Sequence, residues 1–181
     1  MISITEKTLQ DLEFNTVLET IANRCNTDIG EAKAMAITPF KNKEELLINL
    51  KQTSEYLSSF SNNNAIPNHG FENINYELKF LAIEDSFLEV GSFKKIANLS
   101  ETAITLIQFL KKFEDYYPNL YQKASQNDIV KLIIQRIDEV VDKFGIIKDN
   151  ASPDLIDIRR NINLVRGKIN QSFGMALSQY N

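Results

Sequence analysis

Chemistry in a protein needs a nucleophile beside a base, two carboxylates in unlike surroundings, or a cluster of metal-binding side chains. This sequence offers few of these. His69 is the one histidine among 181 residues, so a metal site built on two imidazoles has nothing to work with, and a Ser-His pair would rest on this residue alone. Its neighbours Asn68 and Gly70 place it in a turn, where a surface role is the simpler reading. Cys25 is the one cysteine, which excludes an internal disulfide and fits a reducing compartment. It falls on the apolar side of a helical stretch, away from any histidine or helix N-terminus that would favour a thiolate, and reads as a small hydrophobe. Adjacent acids at Glu84 and Asp85, and at Glu114 and Asp115, lie in loop-like composition, where two exposed carboxylates lack the contrast in surroundings that acid-base catalysis requires. No catalytic, cofactor-binding or metal-ligating residue is expected.

The remaining polar candidates are cationic. Arg159, Arg160, Arg166 and Lys168 stand against only Asp154 and Asp157 in residues 151–181, a local excess of +2 in a chain of net charge −4. Basic residues on one helix suit weak phosphate contact with DNA. Four charges along about 43 Å of helix, at about 1.5 Å per residue, are sparse, so solvated flanks of an apolar stripe are the favoured reading. Asp154 and Asp157 sit in a first helical turn, where negative charge complements the helix dipole. The acidic balance of the whole chain argues against a broadly basic nucleic-acid surface.

The elements that must carry these residues read as helices throughout. Phe14, Val17, Leu18, Ile21, Ala22 and Cys25 recur at helical spacing over Glu13 to Cys25. Asp28 is placed to cap a short helix that stops before Pro39. Asn42 with Glu45 has the form of a capping box opening a helix to about Phe60, with Leu46, Leu50, Tyr56, Leu57 and Phe60 facing inward. The Ser-Asn-Asn-Asn tract after it is a loop by composition. Phe71, Ile74, Leu78 and Leu81 predict a short helix, and Glu89 to about Phe113 a long one. Tyr116, Tyr117 and Pro118 interrupt. Ile129, Ile133, Ile134, Ile137, Val140 and Val141 then give the most apolar helix, expected at the centre of the fold. Phe144 to Lys148 could be briefly extended, with no second strand in view. Ser152 before Pro153 marks a helix start. Beyond it Leu155, Ile158, Ile162, Val165 and Ile169 alternate steps of three and four, a stripe that calls for a partner helix.

The string Ala-Ser-Pro-x-Leu-x-x-Ile-Arg at 151–159 resembles the segment where MutS-family proteins leave their helical core for the long lever helices running toward the DNA clamp. Thr-Leu-Gln-Asp-Leu-Glu-Phe at 8–14 and the Gly30-to-Phe40 run ending in Pro-Phe resemble the opening of the type-2 branch of that family, which lacks mismatch-reading and connector domains. The connector of the family is reduced here to Ala65–Phe71. The family's phosphate-binding loop ends in Gly-Lys-Ser or Gly-Lys-Thr, and neither string occurs in this sequence; the small nuclease-like domain of the type-2 branch is absent as well.

The expectation is therefore an all-α, orthogonal multi-helix bundle with a long projecting C-terminal helix: a helical core over 1–150 and the start of a lever over 151–181. The resemblance implies a parent that is a dimeric ATPase using ATP and Mg, binding irregular DNA, linked to mismatch-repair-like work or suppression of recombination, and in some lineages acting on ribosomes. The chain itself is expected to be no enzyme and to need no cofactor. Its expected partners are the clamp and ATPase domains of its own parent, DNA through that parent, or a second copy, with no membrane and a cytoplasmic location. A free-standing helical interaction or dimerisation module is the alternative.

Overall fold

The computed structural model describes residues 4–127 and 131–179. Among the described residues there are nine helices, and the extended backbone amounts to one antiparallel bridge between Val141 and Ile147. The helices are α1 (Glu6–Asp11), α2 (Phe14–Ala22), α3 (Asp28–Met35), α4 (Lys43–Ser58), α5 (Asn75–Leu81), α6 (Val90–Lys112), α7 (Pro118–Ala124), α8 (Lys131–Val140) and α9 (Pro153–Gln179). The all-α expectation holds.

Local chemistry sets the boundaries. Thr5 caps α1, Thr27 caps α3 and Asn42 caps α4, each side-chain oxygen accepting from a backbone N–H two or three residues on. Asp28, expected as a cap, is instead the first residue of α3, because the Thr27 hydroxyl already takes the Gly30 N–H at 3.0 Å. Asn42 accepts from Glu44 at 2.8 Å. Glu13, at φ 50°, is the left-handed residue that separates α1 from α2; α2 thus starts where the apolar spacing placed it, and α1 is the helix that the spacing did not reveal. Pro118, read as an interruption, opens α7, where its missing N–H is no loss. Tyr117 supplies no cap to α7. Glu55 on α4 does, accepting from the Asn119 N–H at 3.0 Å and the Leu120 N–H at 2.9 Å.

Two groups of helices pack. α2 lies on α1 and α3, while α6 packs on α7 and α8, and α4 packs on α7. α5 is tied to α6 by Lys95, whose ammonium lies 3.6 Å from Glu77 and 3.4 Å from Glu72. Leu18, Ala22 and Ala34 are buried in the first group. Ile96, Ala97, Leu110, Tyr117 and Val141 are buried in the second, and Tyr117 is fully enclosed. Its ring lies 5.9 Å from Phe109, and its hydroxyl donates to the Asn64 carbonyl at 2.5 Å and accepts from the Asn62 amide at 3.1 Å. A residue read only as a break in a helix thus pins the Asn62–Asn64 loop to the centre of the second group.

Two expectations about packing are corrected, the inward set of α4 and the central place of α8. Leu50, Leu57 and Phe60 on or after α4 are exposed, and of the expected inward set Tyr56 is the one half-buried. On α5 the apolar Leu78 and Leu81 are exposed while Glu77 is buried. α8, expected at the centre, holds no buried residue and contributes one flank against α6; Ile129 lies outside the described residues. On α4 and α5 the periodicity located a helix, but apolar residues ring it too widely for spacing alone to choose the covered side; on α8 the apolar face is the covered one, with Ile134 and Ile137 half-buried and Val141 buried just beyond it.

The chain exposes 14669 Å², against about 8,900 Å² for a compact monomer of its mass. α9 belongs to the exposed part of the chain. None of its described residues is buried, and it is absent from the packed helix pairs.

Candidate functional site: the uncovered helix and the turn at its root

α9 starts from a short, heavily bonded turn. Val141 and Ile147 pair, the Asp142 N–H donates to the Ile146 carbonyl at 2.8 Å, and the Lys148 N–H donates to the Val140 carbonyl at 2.8 Å. Asp142 also accepts the Phe144 and Ile146 N–H groups on its carboxylate, both at 2.9 Å. Gly145 sits at φ +78°, a region an L side chain rarely enters. Lys148 donates from its ammonium to the Asp138 carbonyl on α8. The brief extended piece read at Phe144 to Lys148 therefore does have a partner, supplied by Val141, the residue after α8.

The helix itself begins at Pro153, and the Ser152 hydroxyl accepts the Leu155 N–H at 3.2 Å. Along it Leu155 is half-buried, while Ile158, Ile162, Val165 and Ile169 are 55%, 46%, 55% and 59% exposed. The stripe continues to Phe173, four residues past Ile169 and 67% exposed. That step of four was legible in the sequence and marks a residue the spacing argument stopped short of. Val165, Ile169, Phe173 and Ala176 line an open hollow of about 400 Å³ with Lys168 and Ser172 at its edge. Ile156 and Leu164 form the floor of another, about 570 Å³, rimmed by Asp149, Asn150, Arg159, Arg160 and Asn163.

The four cations are not equivalent. Arg159 is half-buried: it pairs with Asp149 and donates to the Ile147 carbonyl at 3.3 Å. Arg160, Arg166 and Lys168 are exposed and make no ion pair among the described residues.

His69 is bonded at both ring nitrogens. Nδ1 donates to the Pro67 carbonyl at 3.0 Å, which leaves Nε2 to accept from the Tyr56 hydroxyl at 3.2 Å. Cys25 is half-buried, its thiol 3.5 Å from the Ile21 carbonyl. Glu84, Asp85, Glu114 and Asp115 are exposed. No group of three His, Cys, Asp or Glu side chains placed to hold a metal occurs among the described residues. The charged residue that sequence reasoning missed is Glu77. Its carboxylate is buried, with one oxygen facing Lys95 and the other without a hydrogen-bond partner; a glutamate on an otherwise apolar helix face was the available signal. Lys95, between two carboxylates, is held above its ordinary value, first by its hydrogen bond to Glu72 and then by the charges of Glu72 and Glu77.

Fold and site together define a helical body that carries one long helix with an apolar stripe open along its length. The chain is similar, from end to end, to curated proteins of the MutS type-2 family. It is 28% identical to the Endonuclease MutS2 of Alkaliphilus oremlandii over 180 residues, 96% of this chain and 23% of that protein. The Endonuclease MutS2 of Symbiobacterium thermophilum is 25% identical over 92% of this chain and 21% of its own length. That of Staphylococcus aureus strain MRSA252 is 26% identical over 92% of this chain and 22% of its own. The resemblance to the type-2 branch read from the sequence thus extends over nearly the whole chain, which spans 21–23% of these relatives' length. No family model matches the chain. Among the described residues, no helix is long and apolar enough to cross a membrane.

Proposed function

We propose that this chain is the helical core, residues 1–150, and the first lever segment, residues 151–181, of a MutS type-2 protein. It carries mechanical coupling between an ATPase and a DNA clamp that lie elsewhere in that protein. The observation that carries the reading is the stripe from Leu155 to Ile169, open along a helix that its own body does not cover. Such a stripe asks for a second helix alongside, and a returning lever would supply it. Coupling then needs two discrete arrangements of body and lever with different contacts, biased by nucleotide at one end and DNA at the other. ATP and Mg would bind the parent, not this chain. DNA, and in some lineages the ribosome, would be met through the parent in the cytoplasm. Arg160, Arg166 and Lys168 would add weak phosphate contact, while Arg159 is already engaged.

A free-standing interaction module is the second reading. Its support is apolar exposure on the body as well as the arm: Phe60 is 71% and Phe87 82% exposed, and patches of that kind mark contact with other proteins. The reading frame beyond codon 181 separates the two. A downstream Gly-Lys-Ser or Gly-Lys-Thr phosphate loop is the result expected of the lever reading, and a stop codon there overturns it. The isolated chain is also expected to bind duplex, branched and single-stranded DNA only weakly at near-physiological salt and to hydrolyse no ATP. Sub-micromolar binding that weakens when Arg160 and Arg166 are neutralised would assign this chain a direct DNA surface instead.

A further inference from the structure

We infer that Arg159 is a latch that fixes the angle at which α9 leaves the body. The inference rests on the geometry at the root of α9 and stands whether or not the lever reading does. α9 buries none of its described residues and packs along no other helix, so its direction is set where it begins. Between the bonded turn, which closes at Lys148, and Pro153 lie Asp149, Asn150, Ala151 and Ser152, tied back by one backbone hydrogen bond from the Ala151 N–H to the Lys148 carbonyl at 3.1 Å. Arg159 spans this segment. From the second turn of α9 its guanidinium reaches back to the Ile147 carbonyl at 3.3 Å and to the Asp149 carboxylate. Ile147 is in turn paired with Val141, and Lys148 is bonded to Val140 and Asp138 at the end of α8, which packs on α6. A continuous set of contacts therefore runs from the body to the helix, and Arg159 is the side chain that closes it, beside the one backbone bond from Ala151 to Lys148.

The residue type suits the task. A guanidinium presents several donors in a fixed plane and can hold a carbonyl and a carboxylate at once, whereas an ammonium is a point charge that serves such a pair poorly. Arg160, the next residue, has the same charge and no such contact, and is a built-in control. An exposed ion pair adds little to folding stability. A helix that packs along no other helix needs only a small bias to hold one direction, so loss of Arg159 should change the direction of α9 and leave the body's stability unchanged.

The test is a distance distribution measured by pulsed electron spin resonance on the full 181-residue chain. Spin labels sit at Gln135→Cys on α8 and Asn161→Cys on the half of α9 before Gly167, Cys25 is replaced by serine, and excess unlabelled chain suppresses distances between copies. The parent chain should give one narrow distribution. Arg159→Met should at least double its width with no shift in melting temperature, Arg159→Lys should recover part of the sharpness, and Arg160→Met should change nothing. A distribution that stays narrow in Arg159→Met, or one that broadens equally in Arg160→Met, overturns the latch. Should Arg159→Met fail to melt cooperatively, Asp149→Ala removes the other half of the contact from an exposed loop; broadening there supports the latch and an unchanged width refutes it.

Discussion

Tyr117→Phe removes one oxygen from the most enclosed side chain among the described residues and leaves the ring in place. The Tyr117 hydroxyl donates to the Asn64 carbonyl and accepts from the Asn62 amide. Asn62 and Asn64 are both half-buried. The amide of Asn62 can turn toward water, but the carbonyl of Asn64 is fixed by the loop backbone and loses its partner. Leaving a buried acceptor unpaired costs about 1–3 kcal/mol, and with the packing of the ring retained about 2 kcal/mol is expected here. For a chain of this size that corresponds to a fall of about 4–8 °C in melting temperature. Tyr117→Ala should cost about 3–5 kcal/mol, because it also opens a cavity beside Phe109. Tyr116, 59% exposed, is the control, and Tyr116→Phe should stay within about 0.5 kcal/mol of the parent. Urea titration followed by circular dichroism measures all three. If Tyr117→Phe matches the parent midpoint, or Tyr116→Phe falls as far, then the Asn62–Asn64 loop is not pinned through this hydroxyl and the assignment of Tyr117 as the centre of the second helix group is wrong.

Three further outcomes follow from particular residues. Lys95 is held above its ordinary value of 10.5 by Glu72 and Glu77, so its contribution is complete below pH 10.5 and disappears as pH rises through the higher folded value. The melting difference between the parent chain and Lys95→Met should therefore be flat from pH 7 to 9 and shrink only above about pH 10.5; a difference that shrinks between pH 7 and 9 contradicts the pairing. Gly145→Ala forces a methyl-bearing residue to hold φ +78°, which should cost about 1–2 kcal/mol and raise amide exchange at Ile146 and Lys148; unchanged exchange there would mean the turn tolerates a side chain. Replacing Ile162 and Ile169 together with Glu should abolish any self-association seen by sedimentation while the melting transition of the body stays within about 0.5 kcal/mol, since both side chains are about half exposed already. Loss of cooperative melting would show that α9 folds back on the body.

The helical class was legible because apolar spacing, caps and prolines agree with one another over most of the chain. Glu89 to Phe113 was read almost to the residue, and the Ser152–Pro153 start of α9 follows from local chemistry that needs no tertiary information. What was not legible depends on contacts distant in sequence. α7 is capped by Glu55, 64 residues away from Asn119, and no local pattern announces such a partner. Tyr117 looked like a helix breaker because its burial is decided by α6 and by the loop after α4. The side of α4 was misjudged for a related reason: apolar residues nearly encircle that helix, and only the neighbouring elements decide which ones meet the body. For the site, the stripe and its cations could be read as types and spacing. The division of labour among the cations could not, since Arg159 is distinguished from Arg160 by the turn it reaches, and that turn is closed by a bridge the sequence did not suggest.

The exposure of α9 also constrains what its partner must do. An isolated helix in water is marginal unless tertiary packing supports an apolar face, and α9 has no such packing among the described residues. Its second half is the weaker one on intrinsic grounds, because Gly167 and Gly174 each cost roughly 1 kcal/mol relative to alanine in a helix interior, and a Cβ at either position would meet nothing within 4 Å. Those glycines are therefore not explained by close packing in the chain as it stands. Whatever covers Val165, Ile169 and Phe173 would supply stability the helix lacks as well as contact. Occupation of the stripe and straightness of the arm are then one equilibrium, with the root held by Arg159 and the far end stiffened by the occupant. A lever working this way would transmit force only while covered, and replacing both glycines with alanine should raise the helix content of the uncovered arm and reduce its dependence on a partner. If circular dichroism shows no gain in helicity for that double variant, the distal half is already fully helical alone, and the link between occupancy and stiffness does not hold.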